Sequence, residues 1–239
     1  MKVREQWHSP RMDREVSLVR WGTFGAPVLV FPTAGGDCEE IERHGVVDAC
    51  GGLLEAGRIK LYSCDSLAGR ALLEKHGDDE YRAHVLNLFH ETIREEVVPA
   101  IFTDCNGPQP VLAAGASIGA FNAVAMVCRY PDIFHRAVGM SGTYTIDRFY
   151  PHWSYDLYFS APTEFIPGLS GHLLTMLQQR MIILATGEGE WEDVGESWLM
   201  ADVLGGKGIP NRVDNWGPDW KHDWETWRAM LPQYLVELT

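Results

Sequence analysis

Residues 111–131 read VLAAGASIGAFNAVAMVCRYP. An apolar run ends in small residues around one serine. A second apolar run follows at helical spacing and stops at a proline. The first has the continuity of a buried strand, the second that of a helix. Between them Gly115-Ala116-Ser117-Ile118-Gly119 matches G-x-S-x-G. The motif is short, and the strand before it and the helix directly after it give it weight. A strand that turns straight into a helix holds the serine in a strained turn. Side chains two positions either side would meet the neighbouring strand and helix, so glycine stands at both. The N–H groups that open the helix at Ile118 suit a developing oxyanion. A close strand–helix contact built from small residues is the competing account. Ser141 in GMSGT and Ser170 in GLSGH lack the full spacing and the apolar helix, and are set aside as decoys.

Outward from this turn, the chain alternates between the two periods. Strands are predicted at 14–22, 27–36 (ending in a Gly loop), 59–66, 111–117, 134–142, 180–187 and 209–217. Helical spacing covers 39–57, 79–104, 118–131, 196–208 and 222–238, the last kinked or interrupted at Pro232. Buried strands alternating with helices give an α/β fold with a mainly parallel sheet, and the antiparallel-looking start suits an edge. One stretch breaks the pattern. Residues 143–175 hold Tyr144, Phe149, Tyr150, Trp153, Tyr155, Tyr158, Phe159 and Phe165. Such a long connection is expected to be a small lid or substrate insertion.

Composition narrows the class. With 239 residues and 46% hydrophobic content, the chain suits one globular domain over 1–239. Its 33 acidic against 20 basic residues give a net charge of −13, with no basic run interleaved with aromatics. That argues against nucleic acid and anionic membrane as partners. The N-terminus has no apolar signal segment and no window is long enough to span a membrane. Five scattered cysteines without C-x-x-C support neither a disulfide framework nor a zinc site, so a cytoplasmic protein without metal or cofactor is expected. A small-molecule ester substrate as partner and self-association into a homo-oligomer complete the expectation.

An activated serine needs a histidine, and the histidine an orienting carboxylate. In this fold class the chain order is serine, acid, histidine. Of His135, His152, His172 and His222, only His222 follows the last strand and opens the last helix. The acid belongs to the loop after 180–187, where Glu188, Glu190, Glu192, Asp193 and Glu196 all stand. Spacing does not choose among them, and acids also favour the start of the helix that follows. The second oxyanion donor is expected from Thr33-Ala34-Gly35-Gly36, at Gly35 with Ala34 beside it, paired with the Ile118 N–H.

Four blocks, VLVFPTAGG, GASIGAFNA, ILATGEGEWED and GIPNRVDNWGPDWKHDWETWRAMLPQYL, together resemble the Putative esterase family of the α/β-hydrolases. This is the family of esterase D (S-formylglutathione hydrolase) and the mycolyl transferases. The resemblance runs from about residue 27 to 238, and H-D-W-x-x-W before a terminal helix is its most specific part. It implies an α/β-hydrolase fold and a metal-free serine–acid–histidine triad. Ser117 maps onto the nucleophile and His222 onto the base. The acid falls at the W-E-D step, on Glu192 first, then Asp193, then Glu190. The chain departs from many relatives in its first oxyanion loop, where Pro32-Thr33-Ala34-Gly35 replaces His-Gly or Asp-Gly. The activity so implied is a serine carboxylesterase working through an acyl-enzyme. An acyltransferase with the same triad and a non-catalytic binding domain of the same fold are the rivals.

Overall fold

The central strands are apolar on both faces, and the structure uses both. In this computed structural model, which describes residues 1–75, 77–146 and 149–239, successive side chains of each strand enter different layers. Strands β1 (Lys2–Ser9), β2 (Arg14–Trp21), β3 (Ala26–Phe31), β4 (Ile59–Cys64), β5 (Val111–Ala116), β6 (Phe134–Met140), β7 (Met181–Thr186) and β8 (Asn211–Asn215) form one sheet in the order β1-β2-β4-β3-β5-β6-β7-β8. From β4 to β8 the neighbours are parallel, while β1 and β2 are antiparallel at one edge. Leu29, Phe31, Ala113, Ile182 and Leu184 point into one core. Val28, Val30, Leu112, Ala114, Ile183 and Ala185 point into the other. This period-two division requires helices on both faces. The α/β-hydrolase architecture expected above is thus present.

The helices are α1 (Glu40–Arg43), α2 (Val46–Ala49), α3 (Gly51–Glu55), α4 (Leu67–Leu73), α5 (Asp79–Thr92), α6 (Val98–Asp104), α7 (Ile118–Arg129), α8 (Tyr155–Ser160), α9 (Pro162–Phe165), α10 (Gly171–Leu177), α11 (Val194–Gly205) and α12 (Trp224–Leu238). α5, α6, α7 and α11 supply the first core; α1 to α3 and α12 supply the second. Among the described residues, no helix is long and apolar enough to cross a membrane.

Several elements differ from their sequence expectation. β1 is an additional edge strand, mostly exposed and rich in charge, so it lacks the apolar signature of a strand. The expected helix at 39–57 is three short ones, broken where Gly45 turns left-handed at φ 74°. The helix at 79–104 is continuous but passes through a π turn at Ile93–Val97, just ahead of Pro99, which has no N–H to give. α4 was not anticipated. α12 runs through Pro232 without interruption. The 143–175 segment, in which 147 and 148 lie outside the described residues, folds into α8, α9, a 3-10 turn at Ile166–Gly168 and α10. Its aromatics divide: Tyr144, Tyr150 and Phe165 are buried in the core, while Trp153, Tyr155 and Phe159 are exposed.

A buried polar cluster ties this segment to the centre. His90 on α5 is fully buried and its Nε2 lies 3.0 Å from Asn122 Oδ1, while Arg129 Nη1 reaches its Nδ1 at 3.2 Å. An amide oxygen on one side and a guanidinium on the other select the neutral ring with its proton on Nε2. Burial, reinforced by Arg129, pushes its pKa down from 6.5 to about 3. The unfolded chain takes up this proton below pH 6.5 and the native one does not. Stability is therefore full above that pH and lost as pH falls, by about 1.4 kcal/mol per unit from this one group. Denaturant unfolding at stepwise pH from 7 to 4 should show that slope, and His90→Asn should flatten it.

Candidate active site

The sequence around residue 117 permits only one kind of turn. β5 ends at Ala116 and α7 begins at Ile118, leaving Ser117 alone to reverse the chain, with φ 57° and ψ −124°. This is a left-handed conformation that L residues rarely adopt, and it costs of order 1–3 kcal/mol. The glycines make it sterically feasible. A Cβ at Gly115 would lie 2.3 Å from Gly119 O, and one at Gly119 would lie 2.4 Å from Phe31 O. The second approach seats the start of α7 against the end of β3, where the 33–36 loop begins.

Backbone bonds then lock neighbouring strand ends together. Ser117 N–H donates to Met140 O at 3.0 Å, Ser141 N–H to Ala185 O at 2.8 Å, and Trp216 N–H to Thr186 O at 2.9 Å. The loops after β5, β6, β7 and β8 therefore share the carboxyl edge of the sheet, where open α/β sheets place their ligands. The loops after β7 and β8 are also joined directly. Glu188 N–H donates to Gly217 O, Gly189 N–H to Trp220 O, and His222 N–H to Glu190 O, at 2.9, 2.8 and 3.0 Å. A Cβ at Gly187 would lie 2.0 Å from Trp220 O, so only glycine lets these loops close.

The closure sorts the candidate acids. Asp193 caps α11, its side chain accepting the Gly195 N–H at 3.0 Å. Glu190 is exposed and lies 3.6 Å from Lys221 Nζ. Glu188 accepts from Asn215 Nδ2 at 2.6 Å. Glu196 accepts the Tyr144 and Thr145 N–H groups at 2.6 and 2.7 Å, anchoring the entry to the 143–175 segment. Glu192 is half-buried; it receives a short bond from Ser141 Oγ at Oε1, and Thr186 Oγ1 lies 3.2 Å from Oε2. It is also the carboxylate whose charge acts most strongly on His222. Burial pulls His222 below its usual pKa, and Glu192, then Asp223, pull it back up. The net shift is downward, which favours the neutral imidazole.

Three residues that sequence reading did not place in the site build this arrangement. Trp227, buried on α12, meets the His222 ring edge-to-face at 5.2 Å and 83°. Its Nε1–H donates to Ser141 Oγ at 2.9 Å, and the Ser141 hydroxyl in turn donates to Glu192 Oε1. Thr186 completes the carboxylate's shell. Ser141, set aside as a decoy nucleophile, is itself left-handed at φ 48°, which aims its hydroxyl between tryptophan and carboxylate. No local spacing announces this, because its partners lie 51 and 86 residues away. Ser141→Ala should lower kcat about 10- to 100-fold with little change in KM, by the measure of lost orienting groups. It should also move the acid limb of the pH profile to lower pH, because a displaced Glu192 supports the imidazolium less.

The loop after β3, at residues 33–36, is similarly constrained. Glu40 accepts the Thr33 N–H and hydroxyl at 2.8 and 2.7 Å, and Gly36 N–H donates back to Thr33 O at 3.0 Å. Gly35 sits exposed at the tip of this turn. Among the described residues, the N–H groups of Ala34, Gly35 and Ile118 have no hydrogen-bond partner. α4 presses onto the loop from outside: a Cβ at Gly69 would lie 2.6 Å from Ala34 O, and Leu73, 60% exposed, lies beside Gly35. Asp65 serves as a brace, accepting the Ser17 and Cys38 N–H groups at 3.1 and 3.2 Å. The other histidines lie elsewhere. His135 opens β6 at the opposite end of the sheet, His152 is exposed beside Asp79, and His172 is exposed on α10.

Comparison with known proteins agrees with this architecture. The family described as Putative esterase matches residues 68–233. No curated protein matches the sequence. Among solved structures, a ferulic acid esterase superposes with a TM-score of 0.75 at 16% identity, covering 100% of this chain and 99% of its own. An S-formylglutathione hydrolase from Agrobacterium tumefaciens superposes at 0.73 and 10% identity, covering 99% of this chain and 94% of its own. The enterobactin esterase of Shigella flexneri superposes at 0.71 and 18% identity, covering 100% of this chain and 59% of its own. These likenesses establish a shared fold, and the family match takes in more than half the chain together with the serine turn, the acid loop and His222. The chain belongs to the Putative esterase family and is an enzyme that hydrolyses ester bonds.

Proposed function

We propose that the chain is a serine carboxylesterase in which Ser117, His222 and Glu192 act as nucleophile, base and orienting acid. The observation that supports this most is the left-handed Ser117 at a strand–helix junction, on the same sheet edge as a histidine electrostatically coupled to a carboxylate. Ser117 Oγ attacks the ester carbonyl carbon while His222 takes its proton. Glu192 stabilises the resulting imidazolium and holds the ring's tautomer. The tetrahedral oxyanion is stabilised by the N–H groups of Ile118 and Gly35, reinforced by the positive end of α7. As the intermediate collapses, the C–O bond to the alcohol breaks and His222 protonates the leaving oxygen. Water, deprotonated by His222, then attacks the acyl-enzyme. The acid is released and the Ser117 hydroxyl is restored.

The test is covalent. A fluorophosphonate should label the protein at one residue, and peptide mass mapping should place the adduct on Ser117. Hydrolysis of p-nitrophenyl acetate, butyrate and octanoate should vanish in step with labelling. Labelling at another serine, or hydrolysis that survives complete modification of Ser117, would reject the assignment. The chain-length trend across the three esters would size the acyl pocket.

A further inference from the structure

α7 joins two different environments. Its first turn faces the serine; its last residue, Arg129, lies about 18 Å further on at 1.5 Å per residue. There the α8–α10 segment and the end of α7 form an open pocket of about 360 Å³, lined by Arg129, Tyr158, Phe159, Phe165, Leu169 and Leu173. No acidic residue lines it. In a chain of net charge −13, a cationic pocket free of carboxylates is a feature that needs an explanation.

The state of Arg129 supplies one. Its Nη1 donates to His90 Nδ1 and Ser160 Oγ at 3.2 and 3.3 Å, and its Nη2 to Asn87 Oδ1 at 2.9 Å. All three acceptors are neutral. Glu91 and Asp156 influence it only through space, and Asp156 is itself committed to Asn87 and His84, at 2.9 Å each. Among the described residues, Arg129 makes no ion pair. A guanidinium has five N–H donors, and these bonds occupy three. Nε–H and one Nη2–H remain, the donor pair that matches the two oxygens of a carboxylate. The Tyr130 ring lies 5.2 Å from the guanidinium carbon, so neutral partners and a cation–π contact replace part of its lost hydration, but no anion contacts it. Burial accordingly lowers its pKa.

The walls set the rest of the ligand. Tyr158 and Phe159 meet edge-to-face at 5.2 Å and 81°, and Phe165 is buried behind them. The Tyr158 hydroxyl lies near Gly168 at the rim, where a Cβ would be 3.5 Å from it, and has no hydrogen-bond partner among the described residues. A single ring or short chain fits a cavity of this volume, at the small end of ligand pockets. We propose that this pocket, bounded by Arg129, Tyr158, Phe159 and Leu173, binds a small monocarboxylate with an aromatic or short aliphatic body. The carboxylate takes the free edge of the Arg129 fork, and the body lies against the rings. The site is separate from Ser117 and does not depend on the triad.

Phenylacetate is the probe, with 2-phenylethanol as its uncharged counterpart, titrated calorimetrically into wild type and Ser117→Ala. Both proteins should bind phenylacetate saturably at one site, with Kd of order 0.1–1 mM, and 2-phenylethanol at least about tenfold more weakly. Leu173→Trp fills the cavity from its outer wall, and Arg129→Gln removes the charge. Each should weaken phenylacetate at least about tenfold. Should Arg129→Gln fail to fold, Leu173→Trp decides. Absence of binding at about 10 mM, equal binding of the alcohol, or unchanged binding by Leu173→Trp would each overturn the proposal.

Discussion

Ser117→Ala is expected to reduce kcat/KM on p-nitrophenyl esters by about 10⁵- to 10⁶-fold, the loss found when a triad nucleophile is removed. The residual activity would come from oxyanion donors and substrate binding that do not need the hydroxyl. The fold should be unaffected, because alanine keeps the Cβ and the Ser117 hydroxyl makes no hydrogen bond among the described residues. Ser117→Gly separates chemistry from strain. It should be equally inactive, yet about 1 kcal/mol more stable than Ser117→Ala, because glycine accepts φ 57° without penalty and that relief exceeds its entropy cost. Activity assays beside denaturant unfolding of the three proteins provide the check. A catalytically competent Ser117→Ala would end the nucleophile assignment. A Ser117→Gly no more stable than Ser117→Ala would show that the turn stores no strain.

The second large effect is on stability. Gly119→Ala should destabilise the protein by about 3 kcal/mol or more, as overpacking against an immovable partner does. The added methyl would lie 2.4 Å from Phe31 O and 2.7 Å from Pro32 O, backbone atoms at the end of β3 and the start of the loop after it. Either α7 shifts outward or β3 bends, and both displace the oxyanion loop from Ser117. A fall in Tm of roughly 6–12 °C should accompany the loss, at 2–4 °C per kcal/mol for a chain of this size. Gly52→Ala is the matched control. It lies inside α3 with nothing within 4 Å of its Cβ position, so it should be neutral or stabilising by up to about 1 kcal/mol. Equal Tm values for the two variants would refute the steric account of the G-x-S-x-G spacing.

The demand for glycine at 115 was legible because its contact, with Gly119, is made within a few residues; Gly119 itself meets the end of β3, a partner distant in the chain. The parallel sheet was legible because its strands are apolar on both faces. Less legible was β1, whose exposed pattern looks like a polar tail. So was the short α4, which matters mainly because Gly69 brings it against Ala34.

For the acid, residue spacing left five carboxylates open and resemblance ranked three. Their different surroundings arise from loops that meet only in the folded chain. Asp193 is occupied by capping, Glu196 by two backbone N–H groups, and Glu192 is beside Ser141 and Thr186. Ser141 and Trp227 were beyond sequence reasoning for the same reason.

The sequence by itself determined the layered α/β architecture, the strand–serine–helix turn and the late histidine, because hydrophobic period and steric demand at a turn are local properties. Tertiary structure alone decided which carboxylate Ser141 and Thr186 hold, which indole meets the His222 ring, and that Arg129 ends without a contacting anion. Those outcomes depend on strand order, which brings residues dozens of positions apart within hydrogen-bond distance.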